Sequence, residues 1–176
     1  MRGIRSMLGV GMVLAAMCGA GGCRTLPRSA GYDLTISVSD SLTDVSGSPA
    51  TVEVHVIALD FVKAKVLQDA SMSDYWDPNR RRRDFTMRVM RFGAGQPTTQ
   101  TLAWSDPIWA DWQRAGASYL FVLADLPNVF KDLPDIKDPR RLILPLDRAR
   151  WQHRAIQIAV EADGVFCLTP RLPPKP

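Results

Sequence analysis

Three cysteines, two histidines and scattered aspartates are the main material this 176-residue chain offers to nucleophilic, acid–base or metal chemistry. Cys18 and Cys23 stand five apart, and Cys167 lies alone near the far end. A zinc site would need two further ligands beside a Cys-x4-Cys pair, and the neighbourhood supplies none. His55 and His153 each lack a second histidine within four residues, so no His-x3-His motif exists. Ser46-Gly47-Ser48 reads as a turn and not as a nucleophile elbow. The glycines of "FGAGQP" have no lysine or serine after them to engage phosphate, so this too is a turn. Asp106 and Asp111 are carboxylates that could pair, but their spacing in a loop fixes no glycosidase separation. Asp125, Asp132, Asp135 and Asp138 could suit calcium, yet the interspersed prolines, Lys131 and Lys137 favour a solvated loop. The inventory predicts no catalytic residue, no metal and no enzyme activity.

Cys23 differs from the other cysteines because of what precedes it. Arg2 and Arg5 are followed by an uncharged run from Met7 to Ala20 and then by small residues, the order of a secretory signal. The run is shorter than the roughly 20 apolar residues needed to span a bilayer. The stretch Ala20-Gly21-Gly22-Cys23 resembles the lipobox of bacterial lipoproteins, although leucine is usual where Ala20 stands. That resemblance implies a signal peptide over 1–22, diacylglyceryl transfer to the Cys23 thiol, and cleavage before it. The covalent lipid on Cys23 would be the only non-protein group, with no other cofactor. Arg24 follows in place of the aspartate associated with inner-membrane retention. The resemblance therefore implies the outer membrane, with the domain facing the periplasm.

Cys18 leaves with the signal. Cys167, in apolar "GVFCLTP", becomes the only unacylated thiol, so no disulfide staple is available and a buried, inert thiol is expected. The mature chain also loses Arg2 and Arg5 from a net charge of +4, which weakens any nucleic-acid reading. Residues 23–31 read as a lipidated tether without periodicity. The domain is expected over 32–169, with a proline-rich tail at 170–176.

The domain is read as mainly β, a two-sheet antiparallel β-sandwich with a short helical insertion; a closed barrel is the other option. "YDLTISVS" alternates, with Leu34, Ile36 and Val38 on one face. "TVEVHVIALD" alternates through Val52, Val54, Val56 and Ala58, which puts His55 on the polar, more exposed face. Its last residues are apolar on both sides, a sign of closer cover. The two-residue period is lost over 61–76, where Asp60 or Ser71 can cap a short helix packed by Tyr75 and Trp76. Phe85, Met87 and Val89 mark the next strand. "SDPIWADWQRAG" reads as a loop or one helical turn. "ASYLFVLADL" is the central-strand candidate. Pro145 places "RRLILPLD" at an edge or breaks it there. Asp163-Gly164 signals a hairpin between two final strands. Leu34, Ile36, Phe85, Phe121 and Ile158 are assigned to one core.

Two surface features remain. Arg80, Arg81, Arg82 and Arg83 form a run flanked by Asp77 and Asp84. It reads as a solvated loop or as a contact for an anionic surface, and not for nucleic acid. Trp104, Trp109 and Trp112 are closely spaced, and an alternative function uses them as the platform of a module binding a glycan or a small apolar ligand.

The order of elements also resembles the outer-membrane lipoprotein of the bacterial type VI secretion membrane complex. "SPATVEVHVIAL" is similar to that family's second strand, and "FVKAKVLQDASMSDYW" falls where its helical insertion would lie. "RDFTMRVMRF", "ASYLFVLADLPNVF" and "ARWQ" follow in matching order. The tryptophan-rich "WSDPIWADWQ" and the long spacing from Ala124 to Trp151 depart from it. The resemblance implies a small sandwich that does no catalysis. Such a protein anchors to the outer membrane and holds the periplasmic region of a large inner-membrane protein through its loops. Its first inter-strand loop corresponds here to 39–49, with Asp40, Leu42, Asp44 and Val45 as accessible partner-binding residues.

Overall fold

The computed structural model describes residues 31–173, except 41, 45, 80–84, 128, 130 and 134–136. Strands β1 (Asp33–Val38) and β2 (Val52–Leu59) are followed by helices α1 (Phe61–Gln68) and α2 (Met72–Trp76). Strands β3 (Met87–Phe92) and β4 (Thr99–Leu102), helix α3 (Ile108–Arg114) and strands β5 (Tyr119–Ala124) and β6 (Arg141–Pro145) come next. A 3-10 turn at Arg148–Arg150 leads into β7 (Ala155–Glu161) and β8 (Gly164–Cys167).

The strands form two four-stranded sheets, ordered β4-β1-β7-β8 and β3-β2-β5-β6. The chain is thus mainly β, with two sheets and a few short helices, as its alternation predicts. One pairing departs from the antiparallel expectation: β1 runs parallel to β7, with Leu34 opposite Ile156 and Ile36 opposite Ile158. β6 is an edge strand ending at Pro145, where a missing N–H costs no ladder bond. β5 lies between β2 and β6, and its first-paired residue Tyr119 sits opposite Leu59 and Pro145. The final hairpin is offset by one residue: Glu161 pairs with Gly164, so Ala162 and Asp163 form the turn and Gly164 opens β8.

Alternation explains the packing. Leu34 and Ile36 of β1, Val52, Val54 and Val56 of β2, Leu120 and Val122 of β5, and Ile156 and Ile158 of β7 fill the space between the sheets. Tyr32 closes this core beside Trp109 and Trp151, its ring in an edge contact with each. Its hydroxyl donates to the Leu146 carbonyl at 3.0 Å, and burial pushes its pKa up to about 12.

The single core expected from the sequence is in fact two. Ile57, Leu59, Phe121 and Leu123 face outward from the second sheet and are covered by Ala64, Leu67 and Met72 of the helical insertion. Phe85 and Met87 pack against this outer cluster. Both sequence-proposed caps operate: Asp60 accepts from the Lys63 amide and Ser71 from the Asp74 amide, so the insertion is two helices rather than one.

The same cover corrects the placement of His55, which is fully buried and not exposed. Its Nε2 lies 2.6 Å from Glu53 and its Nδ1 2.6 Å from the Tyr75 hydroxyl, with Trp76 tilted against the ring. Burial opposes ionisation of Glu53, but hydrogen bonds from His55 and Arg91 outweigh it and hold the carboxyl below its ordinary range.

α3 is longer than the single turn expected. Pro107 precedes its first residue, a position where the ring preorganises a helix. Trp109 and Trp112, three apart on one face, are buried. Cys167 is half-buried rather than fully so; burial raises its pKa, and its thiol contacts the Thr169 carbonyl at 3.3 Å.

Candidate functional site

The two ends of the sandwich carry different groups. One end gathers the starts of β1, β5 and β7 with the ends of β2, β4 and β6. The chain enters the domain there, at Gly31 and Tyr32. The opposite end carries the β1–β2 loop, the β3–β4 turn, the β5–β6 connection and the β7–β8 turn. A six-residue strand separates the two by about 20 Å.

The β1–β2 loop is built from its own hydrogen bonds. Leu42 N–H donates to Ser39 and Ala50 N–H to Leu42, which closes its base. Thr43 pairs with Pro49 across it. The Asp44 amide donates to Ser48 and the Gly47 amide to Asp44, which closes the tip. Gly47 sits at φ 79°, a backbone region that glycine enters without a Cβ penalty. The Asp44 carboxylate accepts from the Ser46 hydroxyl at 2.6 Å and from the Ser46 and Ser48 amides at 2.8 and 3.0 Å. Those bonds, led by the Ser46 hydroxyl, hold its pKa below the usual carboxylate value. The tip from Ser46 to Ser48 is exposed.

Among the four loop residues proposed from sequence, Asp40 is exposed and Asp44 organises the tip. Val45 lies outside the described residues. Leu42 is a correction: at 3% exposure it belongs to the inter-sheet core and not to the loop's outer surface. A lone leucine in a polar loop has two uses, a partner contact or an anchor for the loop base, and here it is the anchor. Beside it opens a cleft of about 170 Å³ whose walls include Val38, Leu42, Pro49 and Phe92, with Asp40 at its rim.

The tryptophans do not form a shared platform. Trp112 donates its indole N–H to the Thr86 carbonyl at 2.8 Å and Trp109 to the Ala103 carbonyl at 2.9 Å, both from within the core. Only Trp104 of the three is exposed. Arg80–Arg83 and Cys23 lie outside the described residues.

Four of the aspartates weighed from sequence have arginine partners, and Asp135 lies outside the described residues. Asp106 pairs with Arg88 and Asp111 with Arg114. Asp138 and Asp132 flank Arg140, at 2.8 and 2.5 Å from Nη2. Burial opposes ionisation of Asp132 and Asp138. Ser71, Ser73 and Arg140 outweigh it at Asp132, and chiefly Arg140 at Asp138, so both carboxyls stay below their ordinary pKa. This cluster ties the β5–β6 connection to the start of α2, and Arg141 donates to the Leu67 and Ala70 carbonyls at the end of α1. Sequence spacing hid the network because its basic member, Arg140, adjoins the loop it closes. Among the described residues no group of three acidic, histidine or cysteine side chains is placed to hold a metal ion.

No protein-family model and no curated protein sequence matches the chain. Solved structures do. Lip of Serratia marcescens, a membrane-bound component of the type VI secretion system, is similar with a TM-score of 0.51 at 15% identity. The likeness covers 80% of this chain and 99% of Lip. A chain in the structure of the TssM C-terminal domain, a type VI secretion protein from EAEC, gives 0.51 at 15% identity over 78% and 99% of the two chains. A chain of a type VI membrane complex gives 0.51 at 16% identity over 79% and 98%. At these identities the likeness is one of fold.

Proposed function

We propose that this chain is a non-enzymatic lipoprotein of the outer membrane that docks the periplasmic region of a large inner-membrane protein through its β1–β2 loop. The observation that carries the reading is the placement of the chain's entry and this loop at opposite ends of the sandwich. A lipid on Cys23 would hold one end at the membrane and leave the loop pointing away from it. The fold likeness to Lip, nearly complete over Lip's length, supports the same reading.

The loop suits docking because its shape exists before binding. Asp44 fixes the tip through three hydrogen bonds, so little conformational entropy remains to be lost on association. Asp40 and Asp44 present negative charge that would steer a basic surface. The cleft beside Leu42 offers an apolar recess for one partner side chain, which is where binding energy concentrates. Arg80–Arg83 remain a second proposed contact, for an anionic surface.

The test is a calorimetric titration of the mature chain against the periplasmic region of a large inner-membrane protein from the same cell. Replacing residues 43–49 by a Gly/Ser linker should abolish binding while the domain stays folded. Undiminished binding by a folded linker variant would exclude the loop.

A further inference from the structure

Seven large apolar side chains are exposed among the described residues, and they are not evenly spread. Phe61, Val62, Trp104 and Leu168 lie at the end where the chain enters the domain: Phe61 and Val62 just after β2, Trp104 just after β4, Leu168 just after β8. The same end is basic. Arg148, Arg150, Arg154 and Arg171 lie there against Asp33 and Asp147, and none of the six takes part in the ion pairs of the described residues; Arg148 also donates to the Trp151 and Gln152 carbonyls and Arg150 to that of Leu172. Trp104 and Arg154 are in contact, the guanidinium carbon 6.0 Å from the ring centroid. Together with Arg148, Pro107, Trp109 and Gly31 they line an open groove of about 590 Å³.

The first described residue, Gly31, lies at this groove. A Cβ on Gly31 would stand 2.3 Å from the Trp104 carbonyl oxygen, so the entering backbone is held directly against the β4–α3 corner. Eight residues from Cys23 to Gly31 reach at most about 29 Å when fully extended. Any acyl chain on Cys23 therefore confines this end to the neighbourhood of the bilayer surface.

We propose that the entry end of the sandwich is a lipid-contacting face, on which Trp104 enters the headgroup layer and Arg148 and Arg154 receive phosphates of anionic phospholipids. This rests on the lipid-anchor reading of Cys23. The chemistry matches on both counts: indole rings settle at the membrane–water boundary, and arginines near an anionic leaflet are attracted to its phosphates. Contact at this face also orients the domain, directing the β1–β2 loop away from the membrane.

The experiment uses the mature lipid-bearing chain reconstituted on vesicles of phosphatidylethanolamine with phosphatidylglycerol, and on vesicles of phosphatidylcholine alone. Co-sedimentation reports the anchor, and quenching of tryptophan emission by lipids brominated near the carbonyl reports the face. The expected result is co-sedimentation on both, with quenching stronger on the anionic vesicles. Trp104→Phe should remove the larger part of that quenching without reducing co-sedimentation. Arg148→Gln and Arg154→Gln should each shift the docked–undocked equilibrium on anionic vesicles roughly fivefold toward undocked. Co-sedimentation with no quenching, or with quenching unchanged by Trp104→Phe, overturns the face while leaving the anchor intact. Failure to co-sediment overturns the anchor and the face with it.

Discussion

Leu42→Ala separates a loop that is anchored in the core from a loop that merely carries an apolar contact for a partner. Leu42 is 3% exposed and packs within the inter-sheet cluster. Its backbone bonds to Ser39 and Ala50 survive the substitution, so the perturbation is confined to lost packing. Buried leucine-to-alanine changes cost about 2–5 kcal/mol. The site borders an open cleft into which water and neighbours can move, which favours the lower part, about 2–3 kcal/mol. The assay is urea unfolding followed by tryptophan emission. With a slope of about 1–3 kcal/mol per molar, the midpoint should fall by roughly 1–2 M with the slope unchanged. Asp44→Ala is the control: it removes the clamp of an exposed tip, so the midpoint should hardly move while partner binding weakens. A loss below about 0.5 kcal/mol for Leu42→Ala, the range of ordinary surface changes, would refute the anchoring role.

Other substitutions probe the helical insertion and the tether. Arg140→Met leaves Asp138 and Asp132 facing one another without their shared guanidinium. A loss of about 3–5 kcal/mol is expected by the same urea assay. Tyr75→Phe deletes the hydroxyl bonded to buried His55 and should cost about 1–3 kcal/mol. Glu53, Asp132 and Asp138 all have folded pKa values below the ordinary ones. The unfolded chain therefore binds more protons. Their stabilisation is complete above about pH 4 and drains as pH falls through the lower folded values. A pH series of unfolding midpoints should show that slope, and a flat acid limb would contradict it. Mass spectrometry should find Cys23 as the first residue of the mature chain, with a diacylglyceryl group on its thiol and a further acyl chain on its amine; an unmodified start elsewhere would remove the lipid anchor.

The strand faces were legible because a two-residue period is a local property. Val52, Val54 and Val56, and Ile156 and Ile158, needed no knowledge of the fold. The helix caps Asp60 and Ser71 were equally local. His55 was misplaced because alternation assumes that a polar position meets water, whereas α1 and α2 cover that face of the second sheet and surround the imidazole with Glu53, Tyr75 and Trp76. The parallel pairing of β1 with β7 joins residues about 120 positions apart, and no local signal encodes it. At the candidate site the sequence marked the 39–49 loop but not its internal architecture. The reversal that turns Leu42 inward depends on its backbone bonds to Ser39 and Ala50 and on the Thr43–Pro49 pairing, which only the folded loop sets. Trp109 and Trp112 read as a surface platform because Pro107 suggested a loop, while in the structure it starts the helix that buries them.

The central claim is that the β1–β2 loop, and not the end where the chain enters, meets the partner. It is tested most directly by photo-crosslinking in intact cells, with a photoreactive residue at Ser46 on the loop tip or at Gln113 on the exposed face of α3. The account predicts an adduct with a large inner-membrane protein from Ser46 and none from Gln113. An adduct from Gln113 alone would contradict it.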